Sequence, residues 1–505
     1  MATARKLHNG GKEEENDELI LEEAVLSLVI TNSVEVQDGS GCSLGIAVYD
    51  TNFSWINHSC SPNACYRFSI SPPNAVPFGE DSTSKLRIVP SVSGEEGDVC
   101  RCLEHTTGNR GYQYGPKIIV RSIKRISKGE EVCISYTDLL QPKAMRQSEL
   151  WSKYQFTCSC FRCSATPSTY IDRALEEISS INLGLSSSSF DVKLYRDETT
   201  RRLSDYVDEI ISEFLSVGDP QSCCDKLESV LNLGLTSEQL ESKDVKSQLN
   251  FRLHPFHHLV LNAYTTLAFA YQIRSSDLSA LATEIDEYQL KAFDLSRTSA
   301  AYSLLLAGAT HHLFRSESSL IASAANFWTN AGESLLTLAR SSLWNSPIKR
   351  GSPISEVSTI AKHKYSKCLL MDILDAKLIL SQAHIAKFKN ISRDFLDCLN
   401  NMMSNIWRFL VHGCRYLETI ADPIDFRWLG LEQDFRAQVK QDDEDSIIAE
   451  DSIIRNHAEL CLDERRINIY EVGIHCLLYG GFLAHICYGR NSPLTTHVLN
   501  ILYPV

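Results

Sequence analysis

Positive charge is scarce in this chain: 49 Lys and Arg face 63 Asp and Glu, a formal net charge of −14. Phosphate contacts need clustered cations, so the composition argues against a general nucleic-acid binder. It suits basic partners such as Lys-rich tails, although most acidic soluble proteins use their charge for solubility alone. The first eleven residues hold no apolar core of the kind a secretory signal needs. No cysteine precedes Cys42. The stretch 472–489 carries no formal charge, yet Gly480-Gly481 interrupts it and His475 and His485 sit inside it, where a membrane span wants ~20 apolar residues. Two buried helices, or one broken helix, are expected there. The chain reads as a soluble protein of nucleus or cytoplasm that binds neither nucleic acid nor membrane directly.

What is present is ordinary globular material. The 505 residues, 43% hydrophobic and 22% charged, have room for two to four domains at ~150 residues each. Seventeen cysteines in a chain without a signal point to a reducing compartment, where a short-spaced Cys cluster is more often a metal site than a disulfide framework. Cys223-Cys224, Cys368, Cys398 and Cys461 lie in apolar helical patterns and are expected to be small buried hydrophobes.

Two textures divide the sequence. An acidic N-terminal segment, 1–30, runs into a helix with Leu19, Glu22-Glu23 and Leu26 at helical spacing. From Asn32 short strands take over: Ser33-Val34-Glu35-Val36 alternates, Asp38-Gly39-Ser40-Gly41 turns, and 44–48 is apolar and β-prone. Asn57-His58 should then stand just after a strand, at a turn closed by Pro62. Further strands are expected at 64–70, 117–120 and 132–136, around a Ser-, Pro- and Gly-rich insertion at 71–116 with a short strand at 86–89. Asp138 should cap a helix over about 142–154. Beyond Ser164 strand signals fade. Amphipathic helices are expected at 206–215, 257–273, 285–295, 301–314, 322–340, 364–388 and 467–478. Apolar and small residues recur there at i, i+3 and i+4, as in Ala324, Trp328, Ala331 and Leu335. Paired helices of this size suggest tetratricopeptide-like repeats, without a clean 34-residue signature. The acidic stretch 441–450 is expected to be an inter-helix loop.

Three motifs carry chemistry. Asn57-His58-Ser59-Cys60-Ser61-Pro62-Asn63 comes first, Gly129-Glu130-Glu131 through Ser135-Tyr136 second, and Cys158-Ser159-Cys160-Phe161-Arg162-Cys163 third. Three thiolates within six residues suit zinc, which in a closed site takes four N or S ligands in a tetrahedron. The fourth must come from elsewhere, and Cys60 in the first motif is a candidate. Cys100, Cys102 and His105 could also meet a metal, but they show no fourth ligand and are taken as metal-free. His257-His258 and His311-His312 are expected as partly buried helix residues, and the basic stretch Lys117, Arg121, Lys124, Arg125 and Lys128 as a solvated face.

In this order and at these gaps the motifs resemble the SET domain of protein-lysine methyltransferases. More narrowly, Ser54-Trp55-Ile56-Asn57-His58-Ser59-Cys60 and Tyr154-Gln155-Phe156-Thr157-Cys158 are similar to the SET-and-MYND (SMYD) branch, as are Thr31-Asn32-Ser33 and 44–49 upstream. Among plant proteins the resemblance is to the SET DOMAIN GROUP. It implies an α+β fold: a partial SET β-fold over 31–140, a helix and zinc-bound post-SET segment over 141–166, and an all-α tetratricopeptide-like domain over 167–505. It implies S-adenosylmethionine as methyl donor, with Asn32, Ser54, Asn57, His58 and Phe156 around it. Phe156 would cover the adenine, Tyr136 would stand where methyl, amine and hydroxyl meet, and Tyr154 would wall the lysine channel. Zinc would sit on Cys60, Cys158, Cys160 and Cys163. The implied partner is a protein presenting a lysine, histone or not, and the helical half would offer a groove to partner peptides.

The resemblance also calls for a Gly-x-Gly strand ahead of Asn32 and a MYND zinc module. Asn9-Gly10-Gly11 is the sole Gly cluster there, it lacks a following apolar strand, and no cysteine pairs are present. A shortened form, or loss of the first strands, is therefore expected. That absence keeps a second reading open: a SET-derived scaffold without catalysis, binding partners through its helical half.

Overall fold

The computed structural model describes residues 13–37, 43–49, 51–69, 117–180, 189–233, 251–281, 287–345, 383–431 and 454–503. Outside them lie the expected insertion at 71–116 with its Cys100, Cys102 and His105, Asn9-Gly10-Gly11, Cys368, most of the helix expected at 364–388, and the acidic stretch 441–450. The described residues fall into two compact units. One draws on Met1–Leu139, Lys143–Ala165 and His485–Thr496, the other on Leu140–Pro142, Thr166–Ala484 and His497–Val505.

In the first unit, α1 (Glu13–Asn32) leads into an antiparallel ribbon of β1 (Ser33–Gln37) and β2 (Ser43–Val48), paired Val34 to Ala47 and Glu35 to Ile46. The period-two alternation of β1 buries Val36 and turns Val34 onto the core. After the single turn α2 (Thr51–Ser54) come β3 (Asn57–His58), β4 (Ala64–Ser69), β5 (Lys117–Ser122) and β6 (Cys133–Ile134). β4 and β5 form an antiparallel pair with Tyr66 opposite Val120. One face of that pair closes on a small core of Phe53, Ala64 and Ile134, flanked by Tyr49, Ile56, Tyr66, Ile118, Val120 and Tyr136.

The other face of β4–β5 has a different task. Cys65 donates to the Cys487 carbonyl at 3.0 Å, Arg67 to that of Tyr488, and Arg121 to that of Ile486 at 3.4 Å. These carbonyls belong to the last turn of the helix Ile454–Tyr488, where no intrahelical donor remains. Two members of the expected solvated face therefore have partners: Arg121 here, and Lys124, whose ammonium donates to Ser61 Oγ at 2.8 Å. The unit ends in α3 (Lys143–Tyr154) and the single turn α4 (Phe161–Ser164).

Two local expectations fail in this unit. Asn57-His58 does not follow a strand; it is one, entered from α2 and paired in parallel with Cys133-Ile134. Long-range pairing with the second motif overrides the local turn signal. Asp138 is not the cap of α3, which starts only at Lys143, past Pro142.

The second unit is dominated by helices: α5 (Tyr170–Leu175), α6 (Ser189–Val217), α7 (Pro220–Leu233), α8 (His258–Leu281), α9 (Glu287–Phe314), α10 (Ile321–Ala339), α11 (Ala383–Val411), α12 (Arg415–Glu418), α13 (Ile454–Tyr488) as far as Ala484, and α14 (Pro493–Leu502) from His497 on. It is not all-α, because β7 (Ile178–Ser180) and β8 (Phe251–Leu253) pair antiparallel. Asp219 caps α7, its carboxylate accepting from the Gln221 and Ser222 amides at 3.0 and 3.1 Å. The helices expected at 285–295 and 301–314 are one helix, α9, packed between α8 and α10. Its stretch from Ser299 to His311 is buried on every side, so it is not amphipathic but central.

The uncharged run 472–489 has the same explanation. It neither breaks nor divides; α13 passes unbroken through Gly480-Gly481, and 472–485 is buried throughout. The glycines here serve close approach. A Cβ on Gly480 would come within 2.8 Å of the Thr329 amide nitrogen, and one on Gly332 within 2.8 Å of the Gly473 carbonyl oxygen. Residues 464–488 pass the length and hydropathy test for a membrane span, yet 83% of the apolar window is buried inside the protein. Cys223 and Cys224 are buried as expected, and burial pushes their thiols up to about 11 and about 12. Cys398 is only half-buried. His257, His258 and His311 are more deeply buried than the sequence suggested.

Candidate functional site

Asn63, last residue of the first motif, stitches that motif to the second. Its amide donates to the Glu131 carbonyl at 2.8 Å and to the Glu130 carboxylate at 3.3 Å, and its side-chain oxygen accepts from the Cys133 amide at 2.9 Å. Gly129 makes the turn possible, with φ of +88°. Asn57 is exposed and donates to the Glu131 carboxylate at 2.6 Å. His58 is buried. Its Nδ1 accepts the Tyr136 amide at 2.9 Å, so the neutral ring carries its proton on Nε2, which donates to Cys60 Sγ at 3.3 Å. One imidazole thus joins the second motif to the first cysteine.

The third motif returns to the same place. The ligand atoms of Cys60, Cys158, Cys160 and Cys163 all lie within 4.8 Å of one another, and none is in a disulfide. Tetrahedral zinc with bonds of ~2.3 Å spaces its sulfurs at about 3.8 Å, so the cluster is compatible with the ion. Among the described residues this is the one His, Cys, Asp and Glu group arranged to hold a metal. Hydrogen bonding within the quartet, chiefly to Cys158, drives the Cys60 thiol far up, and bonding chiefly to Cys160 drives Cys158 down. Four cysteine sulfurs this close together suit a soft cation, whose binding displaces their protons.

The surroundings favour that exchange. Arg146 and Arg162 are fully buried beside the cluster. Arg146 Nε donates to Cys60 Sγ at 3.2 Å and its Nη2 lies 3.9 Å from Cys163 Sγ; Arg162 donates to the Cys60 and Leu139 carbonyls at 3.3 and 3.0 Å. A guanidinium has no neutral form in a protein, so Arg146 keeps a permanent positive charge beside the sulfurs, which favours their ionised form. Gln147 clamps the loop, its amide donating to the Cys158 carbonyl and accepting from the Cys158 amide, both at 2.8 Å.

An aromatic cluster lies against this knot. The His58 ring is 5.4 Å from Tyr136 and 6.0 Å from Phe156; Tyr154 is 4.9 Å from Tyr136 and 6.3 Å from Phe156. The turn that delivers Phe156 passes through Gln155, held at φ +60° by the end of α3, where its amide meets the Trp151 carbonyl at 3.1 Å. The Tyr136 hydroxyl donates to the Ile56 carbonyl. Burial, with Tyr154 adding to it, pushes the Tyr136 phenol up to about 12.

Nine of the eleven residues singled out from the sequence converge here: Asn57, His58, Cys60, Tyr136, Tyr154, Phe156, Cys158, Cys160 and Cys163. The hydrogen bonds of Asn32 and Ser54 are local and do not reach this group. The Asn32 amide donates to the Leu28 carbonyl at 2.9 Å, and the Ser54 hydroxyl to that of Tyr49 at 3.0 Å. The sequence reading gave no role to Asn63, Arg146, Gln147 or Arg162. Asn63 and Arg162 stand inside quoted motifs; Arg146 and Gln147 carry no local signal, because a distant loop decides what they touch.

Known proteins place the chain consistently. A match to the SET domain covers residues 12–137. Protein SET DOMAIN GROUP 41 of Arabidopsis thaliana is 39% identical over 483 residues, which are 94% of this chain and 74% of that protein. Histone-lysine N-methyltransferase SMYD3 of Homo sapiens is 25% identical over 135 residues, covering 27% of this chain and 21% of its own length. N-lysine methyltransferase SMYD2-B of Danio rerio is 26% identical over 140 residues, 28% of this chain and 22% of its own. With three motifs folded into one site, a SET match across the first two, and a relative aligned along nearly the whole length, the chain belongs to the SET-domain family, alongside SET DOMAIN GROUP 41.

Proposed function

We propose that this chain is an S-adenosylmethionine-dependent protein-lysine N-methyltransferase. The observation that carries the proposal is the convergence of His58, Tyr136, Tyr154 and Phe156 on a four-cysteine knot. The donor supplies a methyl group on a sulfonium. The half-buried face of Phe156 beside His58 has the shape and polarity to cover a purine, and Asn57 and His58 would meet the adenine and ribose, partly through backbone groups. Asn32 and Ser54 keep a proposed place lining the same pocket.

Transfer requires a neutral amine aligned with the methyl carbon. The Tyr136 phenol, pushed up to about 12, keeps its proton at neutral pH and donates. It therefore orients and stabilises rather than acting as base. The ring of Tyr154 walls a narrow, dry approach, where desolvation favours loss of the ammonium proton. Zinc on Cys60, Cys158, Cys160 and Cys163 would fasten the segment 156–163 over Asn57-His58. The target is a protein lysine, in a histone or another protein of nucleus or cytoplasm. The helical unit, in this proposal tetratricopeptide-like, would receive partner peptides.

Calorimetry of the zinc-loaded chain with S-adenosylmethionine tests the reading. Saturable heat, weakened by Phe156→Ala, is expected. Absence of heat at high micromolar cofactor would overturn the enzyme and leave the scaffold.

A further inference from the structure

We propose that Arg67, Arg121 and Arg490 form a binding site for a phosphate-class oxyanion, carried either as the free anion or as a phosphomonoester. All three lie in the first unit. The inference stands apart from the methyl-transfer reading and uses none of the residues assigned to it.

Register brings the first two together. Side chains alternate along β4, so Ala64 and Tyr66 enter the small core while Cys65 and Arg67 take the other face. On β5, Arg121 stands opposite Cys65 and is thus the diagonal neighbour of Arg67. Both guanidiniums reach one short piece of backbone. Arg67 Nε donates to the Tyr488 carbonyl, and Arg121 Nε to that of Ile486 at 3.4 Å. Gly489 permits this approach: it turns the chain with a φ of +90°, and a Cβ there would come 3.0 Å from Arg121 Nη1 and 3.3 Å from its Cζ. Arg121 therefore lies against bare backbone, and Arg490 follows directly, exposed.

Charge says what these groups call for. The carbonyl end of a helix carries about half an elementary negative charge. Three guanidiniums set against it leave an excess of roughly two and a half positive charges, none of which can be lost to deprotonation. The chain holds 63 acidic residues to 49 basic ones, yet among the described residues no carboxylate bonds to Arg67, Arg121 or Arg490. The cations act on one another instead. Burial, with Arg121 adding to it, holds Arg67 below the usual guanidinium range; burial, with Arg121 and Arg490 adding to it, holds His485 down. Donors remain as well as charge. Arg121 uses only its Nε–H in the described bonds, and Arg67 uses Nε and Nη1, the latter on the Phe68 carbonyl at 3.3 Å. The remaining Nη groups form forks that suit a tetrahedral oxyanion, and a dianion offsets most of the excess where a single carboxylate would not.

The test titrates the full-length chain with inorganic phosphate in a calorimeter, at about pH 8, where phosphate is mainly doubly charged. Sodium chloride keeps the ionic strength constant. Wild type should bind one equivalent saturably, and Arg121→Gln should bind about 10- to 100-fold more weakly. Arg490→Gln changes an exposed side chain with no described bond, so it should melt like wild type and still bind roughly 2- to 5-fold more weakly. A parallel titration with O-phosphoserine separates the sources. Affinity equal to or above that for inorganic phosphate assigns the site to phosphomonoesters, and affinity well below it assigns the site to the free anion. Heat that follows ionic strength alone, the same for chloride as for phosphate, would mean diffuse screening and overturn the proposal. Phosphate affinity unchanged in both variants would overturn it as well.

Discussion

The two units of this chain are held together by different physics. The first has a small apolar cluster of Phe53, Ala64 and Ile134, and strands of two to six residues. Its order comes from links across long sequence separations: Asn63 to Glu131 and Cys133, His58 to Tyr136, Arg146 to Cys60. The second buries Trp328, Tyr302, Leu304, Leu335, Phe395 and Tyr479 almost completely and packs helix backbones together at Gly332 and Gly473. A small core with many polar links is what one expects where function must be placed precisely in space. A large apolar core with few special residues is what one expects where the fold mainly has to be stable.

Removing the metal should break this contrast most visibly. Structural zinc sites contribute on the order of 10 kcal/mol to the folding of small metal-dependent elements. Stripping zinc, or replacing Cys160 by Ser, should therefore raise hydrogen exchange at 57–63, 133–136 and 156–163 while leaving 300–314 protected. Full metal retention by Cys160→Ser would count against the ligand set.

The converse change belongs to the helical unit. Trp328→Ala removes a fully buried indole that donates to His311 Nδ1 at 3.2 Å, and should destabilise by about 3–5 kcal/mol. Zinc content should stay at the wild-type level; parallel loss of zinc would mean the units do not behave separately.

Acid should find the helical unit too. Burial, with Arg315 and His312 adding to it, holds His311 down at about 3, and burial holds His312 at about 4. The unfolded chain binds these protons near pH 6.5 and the folded chain does not, so stability is full above about pH 6.5 and declines as pH falls toward 3. Melting followed by helix signal should show that slope, and His311→Gln should flatten it. A flat wild-type profile would sink the assignment.

Within the first unit, Tyr136→Phe separates function from fold. Turnover should fall by about 100-fold with cofactor affinity unchanged, since only the hydroxyl is removed. Unaltered turnover would refute the role given to it. The smallest effect is expected at Lys153, whose exposed pair with Glu149 at 2.9 Å is an i, i+4 contact. Lys153→Ala should shift stability by only about 0.3–0.5 kcal/mol, and a change several times larger in chemical denaturation would show that α3 is more delicately poised than its surface suggests.

Much of the site was legible because its residue types are rare in combination. Three cysteines within six residues, an Asn-His pair with Cys60 and Pro62, and a Ser-Tyr after paired acids are each a modest signal alone; their order and spacing narrow the chemistry. The helical unit was legible in its period, though not in its joints. Two segments separated by Arg297-Thr298 merged into α9, where Arg297 reaches the His412 carbonyl at 2.8 Å and lets a charged residue stay in a nearly enclosed helix. Gly480-Gly481 suggested a break, but glycine in a helix also permits close packing, and the neighbour that uses it, Thr329, is remote in sequence. Asn57-His58 looked like a turn because its partner strand lies more than seventy residues on.

The sequence alone singled out the cysteine trio, with Cys60 added by resemblance, the aromatic residues near it and the mainly helical texture of the described residues after Ser164, because these depend on residue type and local period. The tertiary structure decided that His58 would be the bridge between Cys60 and Tyr136, that Arg146 would point at sulfur, and that 472–485 would be a central helix. Those outcomes hang on contacts between segments up to several hundred residues apart, and no local pattern encodes which partner a buried charge or a bare glycine will meet.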